Sequence, residues 1–128
     1  MRLLLDTHTF LWFILDAPTL SVRARDLIAD AGNIVEISPA SYWEIAIKIS
    51  LGKYALPEPY DTFMARQLDI NDFRILPILP RHTAALIGLP FHHRDPFDRL
   101  MVAQALIEGL PIVSVDPALD AYGITRLY

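Results

Sequence analysis

The sequence predicts a single α/β domain: a parallel sheet of about five strands with helices on both faces. Three observations carry this expectation. Short runs rich in Leu, Ile and Val alternate with helical patterns along the whole chain, as they do in successive β–α–β units. The strand-like runs are apolar throughout rather than alternating, as expected when both faces of a sheet are covered. Finally, the chain has 128 residues, 53% of them hydrophobic. With no repeat, low-complexity segment or linker in view, it suits one domain spanning residues 1–128.

The elements follow in order. "RLLL" (2–5) is a short apolar run ending at Asp6 and predicts a buried strand. "THTFLWFIL" (7–15) predicts a helix with Thr7 as its N-cap, broken by "DAPTL" (16–20). Ser21 caps a second helix over "VRARDLIADA" (22–31), stopped at Gly32, and "NIVEIS" (33–38) is a β-branched strand. Ser38 opens a strong helix with Pro39 at its first position, closed at Gly52. The proline-rich "LPEPYD" (56–61) leads to a helix over about 61–70 and a third strand, "FRILPI" (73–78). After "RHTAALIGL" (81–89), Asp95 and Pro96 start a helix over "FDRLMVAQALIEG" (97–109), which runs to a glycine stop. "PIVSV" (111–115), ending at Asp116, and "ITRLY" (124–128) complete the sheet, the last as an edge strand.

Composition narrows the function. The chain has no cysteine, which excludes a disulfide framework, a thiolate zinc site and a cysteine nucleophile. Asp6 and His8 interrupt the apolar N-terminal stretch, so it does not read as a signal peptide, and the run from Thr9 to Leu15 is too short to cross a bilayer. A soluble, cytoplasmic protein with no membrane contact is the expectation. The net charge of -4 does not advertise a nucleic-acid binder. Setting four acids aside for a metal, however, leaves 11 acidic against 11 basic residues, a neutral remainder.

Four acids fall where sites form. Ligands of open α/β sheets bind beyond the carboxyl ends of the strands, and Asp6 and Asp116 directly follow strands. Glu44 and Asp98 lie near helix starts that point toward the same edge. Each has a plainer reading. Asp95 serves as an N-cap, Asp98 three residues on can close a capping box, and "SYWE" (41–44) is itself a capping-box pattern. Glu44 can also pair with Lys48 at i,i+4, and Asp116 before Pro117 can start a turn. Asp6 is harder to dismiss, because aspartate is a poor strand residue after three leucines. Converging carboxylates repel unless they share protons or cations. As hard oxygen ligands they suit Mg²⁺ or Mn²⁺ rather than zinc, and the chemistry implied is metal-assisted phosphodiester hydrolysis.

Other polar residues speak less clearly. His92 and His93 read as solvated or hydrogen-bonded loop residues and His82 as a helix-start residue, while His8, two residues after Asp6, is a candidate substrate contact. Arg94 and Arg99 are candidate phosphate ligands, with surface ion pairs as the competing reading. "FLWFIL" (10–15) is apolar on every side of a helix, which means burial or an interface for Trp12 and Phe13.

The segments "LLLDTH" (3–8), "SYWEIAIKISLGK" (41–53), "HRDPFDRLMVAQAL" (93–106) and "IVSVD" (112–116) occur in an order that covers essentially the whole chain. In this the sequence resembles the PIN-domain family of metal-dependent ribonucleases, and within it the VapC-type toxins of bacterial toxin–antitoxin pairs. The resemblance implies a three-layer α/β/α fold with sheet order 3-2-1-4-5. It implies a catalytic metal site formed by Asp6, Glu44, Asp98 and Asp116, with Thr7 as the hydroxyl residue that commonly follows the first acid. Asp95 matches the extra aspartate of the "HRDPFDR" subgroup, in a supporting or metal-binding part. Val115 departs from the pattern, since a basic residue often precedes the last acid. Mg²⁺, with Mn²⁺ as a substitute, an RNA substrate, a homodimer and a small inhibitory antitoxin are likewise implied.

Rival readings share parts of this pattern. A phosphotransferase using Asp6 as nucleophile fits the fold, but "DTH" lacks the second aspartate of the haloacid-dehalogenase pattern. A receiver-like signalling domain leaves Glu44 and Asp98 without a place. A non-catalytic PIN-like RNA-binding or regulatory module is the alternative if the acids serve structure alone.

Overall fold

The three leucines of the first strand divide the molecule into layers. The computed structural model describes all residues from Met1 to Tyr128, and β1 covers Arg2–Leu5. Leu3 and Leu5 are buried in one apolar cluster with Phe10, Ile37, Ile45 and Phe63. Leu4, between them, is buried in a second cluster with Ala40, Met101, Val102 and Ile112. Successive strand side chains point to opposite faces, so two separate cores require helices on both sides of the sheet. Each fully buried leucine contributes roughly 2 kcal/mol.

The remaining elements are α1 (Thr7–Ile14), α2 (Val22–Ala29), β2 (Ile34–Ile37), α3 (Pro39–Ser50), α4 (Tyr60–Ile70), β3 (Arg74–Ile75), α5 (Pro80–Ile87), α6 (Pro96–Glu108), β4 (Ile112–Val113), a 3₁₀ helix (Pro117–Tyr122) and β5 (Arg126–Leu127). All strand pairs are parallel, in the order β3-β2-β1-β4-β5. This is the expected topology. No helix is long and apolar enough to cross a membrane.

Local chemistry explains where the boundaries differ from expectation. The N-cap of α1 is Asp6, not Thr7: Asp6 Oδ1 accepts from Thr9 N at 2.9 Å, and Thr7 is the first helical residue. Helix α2 stops at Ala29, short of Gly32, because Asp30 turns to extended backbone and its carboxylate accepts from Gly32 N at 2.8 Å. Strands β3 and β4 are two residues each; Pro77 stops the ladder after β3 and Pro111 before β4, since neither can donate to it. The other starts fall as read: Ser21 accepts from Ala24 N, and Ser38, followed by Pro39, accepts from Ala40 N. Gly109, after α6, takes φ +67°, a conformation that favours glycine. The 3₁₀ helix after Pro117 extends what the sequence suggested only as a turn.

Glu36 is the exception to the apolar strands. It points to the opposite face from Val35 and Ile37, is buried, and takes two hydrogen bonds from Arg2 on the neighbouring strand at 3.1 and 3.2 Å. Trp12 and Phe13 are half-buried against the first core, Phe13 lying 5.7 Å from Phe73. Packing thus accounts for most of the all-round apolar helix.

Candidate active site

Parallel strands put all their carboxyl ends at one edge, and the site is built there. Asp6 leaves β1, and its N–H still reaches Val113 O of β4 at 3.3 Å. Helix α3 starts immediately after β2. Helix α6 precedes a parallel strand, so its N-terminus, carrying Asp95 and Asp98, returns to the same edge.

Glu44 lies in the second turn of α3. The helix begins at Pro39, so Glu44 serves no cap; it is 2% exposed, and its Oε1 has no hydrogen-bond partner. Ligand atoms of Glu44, Asp95 and Asp98 lie within 4.8 Å of one another. Asp95 caps α6, accepting from Phe97 N at 2.8 Å and Asp98 N at 3.3 Å. Asp98 does not return the bond, because Asp95 N donates instead to His93 Nδ1 at 3.0 Å. Its carboxyl is therefore free to face the cluster. Burial pushes the Asp98 carboxyl up to about 7, and the charges of Asp95, Asp6 and Glu44 add to this while His93 opposes it.

His93 organises the other side. A backbone N–H points at Nδ1, so the ring proton sits on Nε2. Nε2 lies 2.9 Å from Asp116 Oδ2 and 3.4 Å from Asp98 Oδ2, linking the two acids. Asp116 Oδ1 accepts from Ala118 N at 3.0 Å, so both its oxygens are engaged. Ligand atoms of His93, Asp98 and Asp116 form a second group within 4.8 Å of one another, and Asp6 acts on Asp98 through its charge without entering either triad of close ligand atoms. Sequence reasoning left His93 undecided. Its signal was the spacing: two residues before an N-cap aspartate, a ring nitrogen can accept that residue's N–H.

The other candidates divide. Thr7 is buried and shares a hydrogen bond with Ser41 Oγ at 3.1 Å, which ties α1 to α3. His8 is exposed, 3.4 Å from the Tyr54 hydroxyl through Nε2. Tyr54 faces the cluster: burial raises its hydroxyl pKa, Lys48 lowers it, and Glu44 and Asp95 raise it further. Arg94 is exposed. Arg99 departs from the sequence reading. It is buried, donates to the carbonyls of Pro90 at 2.7 Å and Leu89 at 3.1 Å, and lies 4.0 Å over the Phe91 ring. The guanidinium holds the 89–91 loop rather than presenting a fork to phosphate. His92 packs edge-on against Tyr122, and His82 caps α5 by accepting from Leu79 N at 2.9 Å.

The donor set fits a divalent cation. A buried carboxylate oxygen without a partner is costly, and here it belongs to a residue that has a ligand atom within 4.8 Å of two further carboxylates. Oxygen donors alone favour Mg²⁺ or Mn²⁺ over softer ions. Surface clefts of about 350, 320 and 400 Å³ lie elsewhere, none lined by these acids.

The sequence matches the PIN domain model over residues 3–124, and the chain belongs to the PIN-domain family, whose members are generally nucleases. No curated protein matches it. Solved structures share the fold. One is VapBC2 from Rickettsia felis bound to a DNA fragment from their promoter, with TM-score 0.73, 16% identity, and coverage of 99% of this chain and 98% of that one. Another is FitAcB from Neisseria gonorrhoeae, with TM-score 0.67, 18% identity, and coverage of 98% and 96%. A third is FitAB bound to an IR36 DNA fragment, with TM-score 0.69, 16% identity, and coverage of 98% and 93%.

Proposed function

We propose that this chain is a Mg²⁺-dependent endoribonuclease and the toxin of a VapC-type toxin–antitoxin pair. The observation that carries the metal site is Glu44, buried with Oε1 unpartnered, on a side chain that converges with the Asp95 and Asp98 carboxylates. Glu44, Asp98 and Asp95 would hold the cation, with Asp6 and Asp116 at the same sheet edge. A divalent ion bound there lowers the pKa of a bound water and offsets negative charge on the phosphoryl oxygen. The protein's own part is to keep the carboxylates converged, with Asp6 fixed by its cap, Asp95 by its two N–H donors and Asp116 by His93. His8 and Arg94 contact the RNA. Mn²⁺ substitutes for Mg²⁺ on the same oxygen ligands.

The likeness in fold to VapBC2 and FitAB supports a cognate antitoxin as partner, and the reading includes a cytoplasmic homodimer. The test is cleavage of total cellular RNA by purified protein, with and without Mg²⁺ or Mn²⁺, beside Asp98→Asn. Discrete fragments that need both the metal and Asp98 support the proposal. Metal-independent cleavage, or cleavage retained in Asp98→Asn, would overturn it. Light scattering of the purified protein tests the dimer; a monomer at high concentration counts against it.

A further inference from the structure

Lys48 stands beside the acids without a hydrogen bond of its own. Its Nζ is 3.9 Å from Glu44 Oε2, too far for a hydrogen bond, and 5.6 Å from the centroid of the Tyr54 ring. The Tyr54 segment is folded back onto α3 by bonds from Lys53 N and Tyr54 N to Lys48 O, at 2.8 and 3.3 Å. The lysine side chain is half-buried, with its ammonium between the Glu44 carboxylate and the Tyr54 ring.

As an i,i+4 pair this contact adds little to the helix. For a cation-binding site it is adverse, because a fixed positive charge beside Glu44 repels the ion that Glu44 is to hold. A positive charge kept in such a place suits an anion that arrives next to the metal. Arg99, the other basic residue of the region with a fixed position, is committed to loop carbonyls.

We propose that Lys48 binds the RNA backbone at the reaction site, its ammonium donating to a non-bridging phosphate oxygen while Tyr54 fixes its position. The proposal rests on the nuclease reading, and its test separates the two. Lys48→Met and Lys48→Arg are compared with wild type in three measurements: Mn²⁺ binding by calorimetry, kcat and KM for RNA cleavage, and the salt dependence of binding to a mixed-sequence single-stranded RNA oligonucleotide with Ca²⁺ in place of Mg²⁺. For Lys48→Met, Mn²⁺ should bind at least as tightly as to wild type. Its kcat/KM should fall about 100-fold, and the log–log salt slope should shrink by about 0.7, the share of one single-strand phosphate. Lys48→Arg should restore most of both.

Unchanged kinetics and salt slope in Lys48→Met would overturn the proposal. Joint loss of Mn²⁺ binding and cleavage would also overturn it, since Lys48 would then act by supporting Glu44. If wild type cleaves no RNA, the nuclease reading fails, and the salt slope alone decides whether Lys48 meets a phosphate.

Discussion

His93 and Asp116 are joined by a 2.9 Å hydrogen bond from Nε2 to Oδ2, while the same ring accepts the Asp95 backbone N–H at Nδ1. One imidazole therefore couples the acid that follows β4 to the N-cap of α6. The two nitrogens do separable work, and amide side chains can replace them one at a time. His93→Asn retains an acceptor near Nδ1 and should keep stability close to wild type while loosening Asp116. His93→Gln reaches toward the Nε2 position but strands the Asp95 N–H, at a cost of about 1 kcal/mol. Urea denaturation of both variants checks this; equal stability losses would refute the division of roles.

Asp98 gives the metal-free protein a pH dependence of definite sign. Its carboxyl rises from 3.8 to about 7 on folding, through burial first and then the neighbouring acids. Between those values the unfolded chain has lost a proton that the folded chain keeps, so this group lowers stability as pH rises through the window and levels off above it. In EDTA, wild type should lose stability relative to Asp98→Asn from about pH 4 to about pH 7. Metal binding takes the ionised form, so Mn²⁺ affinity should rise by up to about tenfold per pH unit below 7 and flatten above it. Calorimetry across that range, with proton release measured in two buffers, is the check.

Asp6 combines a structural and a chemical task, and the two can be split. Asparagine caps a helix as well as aspartate does, so Asp6→Asn should fold with near-normal stability and lose cleavage. Asp6→Ala should lose cleavage and, in addition, about 1 kcal/mol of stability. Full activity in Asp6→Asn would remove Asp6 from the site.

Arg94, in the loop before α6, and Arg99, within α6, should behave oppositely. Arg99→Ala strips donors from the Pro90 and Leu89 carbonyls and should cost about 3 kcal/mol. Arg94→Ala touches an exposed side chain and should leave stability within about 0.5 kcal/mol, while weakening RNA binding. Thermal melts and an RNA-binding titration distinguish them; a stable Arg99→Ala protein would show that the 89–91 loop does not depend on the guanidinium.

The sequence by itself determined the elements whose causes are local. Ser21, Ser38 and Asp95 cap the helices they precede, and Pro39 and Pro96 fix the first turns. The apolar runs identified the strands, and the ordered motifs carried the topology. Four acids near one sheet edge were legible for the same reason: parallel strands align their carboxyl ends, so an acid after a strand and an acid at a helix start must approach each other.

Tertiary structure decided the rest, because side-chain partners depend on atoms distant in sequence. Glu36 interrupts its apolar strand, and only the fold supplies its partner, Arg2, across β1 and β2. Arg99 reads as a phosphate ligand or a surface ion pair until the Leu89 and Pro90 carbonyls close on it. Asp116 was placed at a strand end, yet both its oxygens are engaged, one by the 3₁₀ helix and one by His93. Lys48 gave a helix-pair spacing and nothing more; its meaning depends on Tyr54 and on the carboxylates that α6 brings to Glu44. Periodicity and capping are properties of a few neighbouring residues. A desolvated charge takes its role from whatever the fold packs around it.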